Sequence, residues 1–167
     1  MKILAFTDVH ADHGMLNKLV KKAKNADIMV CAGDLSLFGT GLKESINFLR
    51  KAKKQILIIH GNHETEEDII RICKKYRDVI NIHKKPFTFN DHLFIGYGGG
   101  GFSIYDFELE IYFKLFKKKY PNENIIMVAH QPPAKTKLDV IPVLGHRGSI
   151  SINKAIKLIK PELFNSG

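Results

Sequence analysis

The chain has 167 residues, 44% of them apolar and 26% charged; this balance fits one soluble globular domain and excludes a disordered or low-complexity chain. Its formal charge of +9 comes mainly from lysine, in clusters such as Lys51, Lys53, Lys54 and Lys117 to Lys119 at helix ends, which reads as a solvated basic surface, with attraction of phosphorylated or nucleic-acid partners as the alternative. No apolar run approaches the ~20 residues of a membrane span, no cleavage-site signature follows the N-terminus, and Cys31 and Cys73 form no C-x-x-C pair, so a cytoplasmic setting is expected.

In chain order, short apolar runs alternate with amphipathic stretches. "KILAFTD" reads as a strand, and residues 13–25 repeat apolar residues at helical spacing. "DIMVCAGD" is a second strand, followed by a helical stretch around Leu42 to Lys53. "QILIIHGN" is a third, followed by a helix from about Thr65 to Tyr76 with Thr65 as its N-cap. Three βα units predict parallel pairing with right-handed crossovers. "FTFN" and "HLFIGYGGGG" then bracket an Asn90-Asp91 turn, as in a hairpin or a second sheet. A helix near Asp106 to Lys119, the strand run "NIIMVAH" and a proline-bearing loop follow. A helix from about Ile150 to Lys160, capped by Ser149 or Ser151, precedes a last short run in "PELFNSG". No repeat or linker divides the chain, which predicts one α/β domain over residues 1–167.

The four strongest strand runs end in groups able to bind a metal: Asp8 and His10, Asp34, Asn62 and His63, and His130. In a parallel α/β sheet the carboxyl ends of the strands lie along one edge, so residues spread over about 120 positions can converge. Carboxylates, imidazoles and an amide oxygen without thiolate form a mixed N/O set suited to Mn, Fe, Zn or Ni.

D-x-H at Asp8-Val9-His10, G-D at Gly33-Asp34, G-N-H-E at Gly61 to Glu64 and His130 in "AHQPP" resemble the ordered motifs of the calcineurin-like metallophosphoesterases. The resemblance implies a four-layer α-β-β-α sandwich and a pair of divalent cations, manganese foremost. Asp8 and His10 would hold the first, Asp34 would bridge, and Asn62 and His130 would hold the second. It implies in-line attack on phosphorus by a metal-bridging hydroxide, with His63 off the metals as the general acid. The substrates implied are phosphomonoesters or phosphodiesters, small molecules or nucleotides, with nucleic acid less favoured.

The family pattern closes with G-H-x-H. "GHRG" at Gly145 to Gly148 is not that motif: it precedes a helix, and His146-Arg147-Gly148-Ser149 resembles an earlier family loop. The counterpart is expected to begin at Gly167, so the domain is expected to lack its C-terminal strands. His146 is therefore left outside the metal set, and Arg147 is a candidate phosphate contact. Gly98 to Gly101 read either as a phosphate cradle or as a plain loop, and His60 either as a residue supporting the ligands from behind or as a packing residue. The alternative to the enzyme is a non-catalytic protein-binding scaffold on the same fold with an incomplete metal site.

Overall fold

Ile3–Phe6 (β1), Ile28–Cys31 (β2), Gln55–Ile58 (β3) and Val79–Asn81 (β4) form a parallel sheet in the order β1-β2-β3-β4. The helices His13–Ala23 (α1), Leu42–Leu49 (α2) and Glu66–Cys73 (α3) make the crossovers. The structure is a computed structural model that describes residues 1–101 and 103–167. β2 and β3 are apolar because both of their faces are covered. One face meets the three helices through Leu16, Ile46, Ile69 and their neighbours.

The second sheet is mixed. Phe87–Phe89 (β5) and His92–Tyr97 (β6) form the expected antiparallel hairpin. Ile125–Ala129 (β7) runs parallel to β6. After the two-residue strands Val140–Ile141 (β8) and Gly145–His146 (β9), Leu163–Asn165 (β10) adds in parallel to the far side of β7. Phe107–Lys119 (α4) and Ile150–Ile159 (α5) cover its outer face around Phe113, Phe116 and Ile152.

The two sheets bury their inner faces against each other. Val30, Leu57 and Ile59 from one side meet Phe94, Ile126 and Val128 from the other, which completes the expected α-β-β-α layering. β4 went unread in the sequence: it is three residues long, too short to show a period.

Helix starts follow local chemistry. Asp12, Asp106 and Ser149 accept from the backbone N–H of Met15, Leu109 and Ile152. Thr65 and Asp68 form a reciprocal capping box. α2 starts instead at Gly41, in the left-handed region, without a side-chain cap. Basic residues fill the last turns of α1 and α4, where they complement the helix dipole.

Gly96 in β6 lies where the two sheets meet, bridged to His83. A Cβ there would lie 2.4 Å from Ile59 Cγ2 and 3.1 Å from the Ile82 carbonyl oxygen. Gly96→Ala is therefore expected to destabilise the protein by about 1–3 kcal/mol through overpacking, read as a lower urea midpoint at unchanged m-value.

Candidate metal centre

The chain leaves β1, β2, β3 and β7 at one edge of the sandwich, and the turns there are locked to one another. The N–H groups of Asp8, His10 and Ala11 donate to the carbonyls of Gly33, Asp34 and Leu35 at 3.2, 3.0 and 2.9 Å. Asp8, His10, Ala11 and Asp34 all have positive φ, between 48° and 57°. Non-glycine residues rarely take this conformation, and each costs about 1 kcal/mol or more. The strain is concentrated where side chains must turn inward.

Close packing of backbone brings the turns together. A Cβ on Gly61 would fall 2.0 Å from Asp34 Oδ1, and one on Gly33 would fall 2.7 Å from the Gly61 Cα. Only glycine permits this approach at either position. Glu64, the last residue of G-N-H-E, then ties the turns together. Its buried carboxylate accepts from Asp34 N and Gly61 N through Oε2 (3.0 and 3.1 Å) and from Ser36 N and Oγ through Oε1 (2.7 and 2.6 Å).

All the residues expected at the site arrive there. Asp34 is buried and central. Its Oδ1 accepts from the His63 N–H at 2.9 Å, and its Oδ2 lies 3.6 Å from His130 Nε2 and 3.9 Å from His63 Nε2. Two overlapping groups result, His10–Asp34–His63 and Asp8–Asp34–His130, each with one ligand atom per residue, all within 4.8 Å of one another. Asp34 is common to both, but the groups cut across the expected pairing: Asp8 falls with His130, and His10 with His63. Thr7 Oγ1 donates to Asp8 Oδ2 at 2.7 Å and orients that carboxylate. His63, expected off the metals, thus falls in one of the two groups of possible ligands.

His130 gives a test of whether these residues suit a metal. Its Nδ1 stands 2.9 Å from the Ala32 carbonyl oxygen, so Nδ1 carries the proton and donates. Nε2 then offers a lone pair, yet it faces the Asn62 Oδ1 acceptor at 2.9 Å. With Asp34 Oδ2 3.6 Å from the same nitrogen, an imidazole nitrogen, an amide oxygen and a carboxylate stand together, a donor set that a divalent cation satisfies. The Nδ1 atoms of His10 and His63 are likewise buried without a hydrogen-bond partner among the described residues. The thiols are not part of this chemistry. Burial pushes both Cys31 and Cys73 up, away from the reactive thiolate.

His146 stands on Asp139, its Nδ1 2.7 Å from Asp139 Oδ1. Asp139 also accepts from the N–H groups of Lys135, Thr136 and Gly148. Burial opposes the charge on Asp139, but the His146 ring and these three donors hold its carboxyl well below the usual range. This buried aspartate organises the loop that carries "GHRG", an arrangement its sequence does not announce. Gly167 donates its N–H to the His130 carbonyl at 2.9 Å.

Two of the glycine-loop donors are already engaged. Gly98 N–H donates to His83 Nδ1 at 2.8 Å, and Gly99 N–H to the His60 carbonyl at 3.0 Å. His60 packs, its ring 4.6 Å from that of His83. His83 gave no signal in the sequence, since its role depends on its bridge to Gly96 across the sheet.

Imidazoles, carboxylates and an amide at the strand ends of two facing sheets make a candidate metal site on an α/β sandwich. The model of the calcineurin-like phosphoesterase family matches residues 1–159. The uncharacterized protein MJ1162 of Methanocaldococcus jannaschii is 33% identical over 167 residues, covering 94% of this chain and 73% of its own. One crystal structure superposes with a TM-score of 0.86 at 18% identity, covering 99% of this chain and 83% of that one. The crystal structure of TT1561 of Thermus thermophilus superposes with a TM-score of 0.78 at 18% identity, covering 98% of this chain and 80% of that one. The chain belongs to the calcineurin-like phosphoesterase family, whose members are generally metal-dependent. Among the described residues no helix is long and apolar enough to cross a membrane.

Burial, reinforced by the His60 ring and by Lys84 and Lys85, pushes the His83 imidazole down to about 3. The unfolded chain, with an imidazole near 6.5, therefore binds one more proton than the folded chain between these values. The contribution of neutral His83 is complete above pH 6.5 and is lost as the pH falls toward 3. The urea midpoint is expected to fall across that window and to fall less in His83→Gln; equal slopes would contradict this.

Proposed function

We propose that this chain is a phosphoesterase that uses two divalent cations held by Asp8, His10, Asp34, Asn62 and His130. The observation that carries the reading is Asp34, one buried carboxylate common to two groups of possible ligand atoms, from which we set His63 apart for the proton-donor role argued below. Manganese is the first candidate on the mixed N/O donor set, with iron, zinc and nickel as the others. Bound there, such cations would activate water and offset charge on the phosphoryl oxygens during in-line displacement.

The protein's own contribution is positional. Thr7 orients the Asp8 carboxylate, the Ala32 carbonyl fixes the His130 tautomer with the proton on Nδ1, and Glu64 holds the turns that bear Asp34 and Asn62. We assign His63 to donating a proton to the departing ester oxygen. Its ring is wedged between His10, with centroids 4.6 Å apart, and Phe38, with centroids 4.1 Å apart. A ring stacked on Phe38 and in contact with a tilted His10 ring is restricted in direction, as general-acid catalysis requires. Phosphomonoesters and phosphodiesters, small molecules or nucleotides, are the substrate range proposed.

His63→Ala is expected to lower kcat by about 10²–10⁴-fold while metal content, measured by elemental analysis, stays at the wild-type level. Loss of metal in that variant would make His63 a ligand and overturn the assignment.

A further inference from the structure

Leu37 and Thr40 exchange both backbone hydrogen bonds, at 3.1 and 3.0 Å, so Phe38 and Gly39 form a two-residue loop. Their φ angles are 49° and 78°, the doubly left-handed pattern of a type I′ turn, which favours Asn-Gly. Phe38 is an expensive choice there, because a bulky side chain resists positive φ. It gains no burial in return: the residue is 76% exposed.

The turn is nevertheless fixed to the candidate metal centre. Ser36 Oγ accepts from Gly39 N–H at 3.1 Å and donates to Glu64, the carboxylate that also holds Asp34 and Gly61. Phe38 lies on His63 with the ring planes 24° apart. The rest of its ring faces solvent beside the imidazole assigned to the leaving group.

We propose that Phe38 is a specificity-determining residue, an aromatic platform that receives a flat aromatic group carried on the leaving-group oxygen. The inference rests on the phosphoesterase reading and names its substrate class as aryl esters of phosphate. A ring attached to the oxygen next to His63 extends over Phe38, and stacking strengthens its binding by about threefold to tenfold. A methyl leaving group reaches nothing there. The strained backbone is then retained because it holds an apolar ring at the rim, where folding alone would select asparagine.

The test compares phenyl and methyl esters of phosphate, as mono- and diesters, with Mn²⁺-loaded protein, reading KM and kcat separately. Wild type is expected to show the lower KM for phenyl esters. Phe38→Ala should raise the phenyl KM about threefold to tenfold with a smaller rise for methyl, and Phe38→Tyr should restore the preference. Phe38→Asn, which creates the Asn-Gly pair, should have a Tm equal to or above wild type while losing the phenyl preference. Equal losses on both esters, or a Tm drop in Phe38→Asn without loss of preference, would overturn the platform and leave the enzyme reading standing. Wild-type protein that hydrolyses neither ester would overturn the phosphoesterase reading and the platform with it.

Discussion

The buried carboxylate of Glu64 is the tie on which the arrangement of this molecule's site depends. The turns after β2 and β3 come from separate parts of the chain, and each has backbone N–H groups aimed into a space closed to water. One carboxylate receives four hydrogen bonds from three residues of those turns. Removing such an acceptor leaves buried donors unpaired, at about 1–3 kcal/mol for each. The same contact sets the distance between Asp34 and Gly61, and through Ser36 it also sets the height of the turn that carries Phe38. Ligand placement and the aromatic rim are therefore consequences of one local bond network.

Around that tie, strain and close packing reinforce each other. Gly33 and Gly61 let the two turns approach closer than any side chain would permit. Asp8, His10 and Asp34 take left-handed backbone conformations that the cross-linked turns impose. This is the pattern of a preorganised ligand shell: the cost is met in folding, and little reorganisation remains when a cation or substrate binds. His130 shows it most directly, its tautomer set by a main-chain carbonyl so that the other nitrogen is free.

Much of this was legible in the sequence, for a physical reason. Strand runs that pack in a sandwich are largely apolar, so a polar residue at the end of "KILAFTD", "DIMVCAGD", "QILIIHGN" or "NIIMVAH" stands out against its run; parallel pairing puts the first three ends at one edge, and the packing of the second sheet brings the fourth beside them. Thr65 was readable as a cap, and Ser149 as one of two candidates with Ser151, because capping is local. What was not readable depends on partners far along the chain. The acceptor role of Glu64, the Asp139–His146 contact and the burial of His83 on the glycine loop leave no periodic trace. Nor does a positive φ at Phe38, which the surrounding turn imposes on a residue that does not favour it. β4 and the β8–β9 pair are too short to carry a pattern.

The central claim is that Asp34 is shared between two cation positions built from the ends of four strands. The most direct measurement is the metal content of the protein after equilibration with Mn²⁺ and removal of free ion, for wild type and for Asp34→Asn. Two ions per chain in the wild type and loss of both in the variant is the predicted result. A wild type that retains no ion, or an Asp34→Asn variant that retains two, would contradict it.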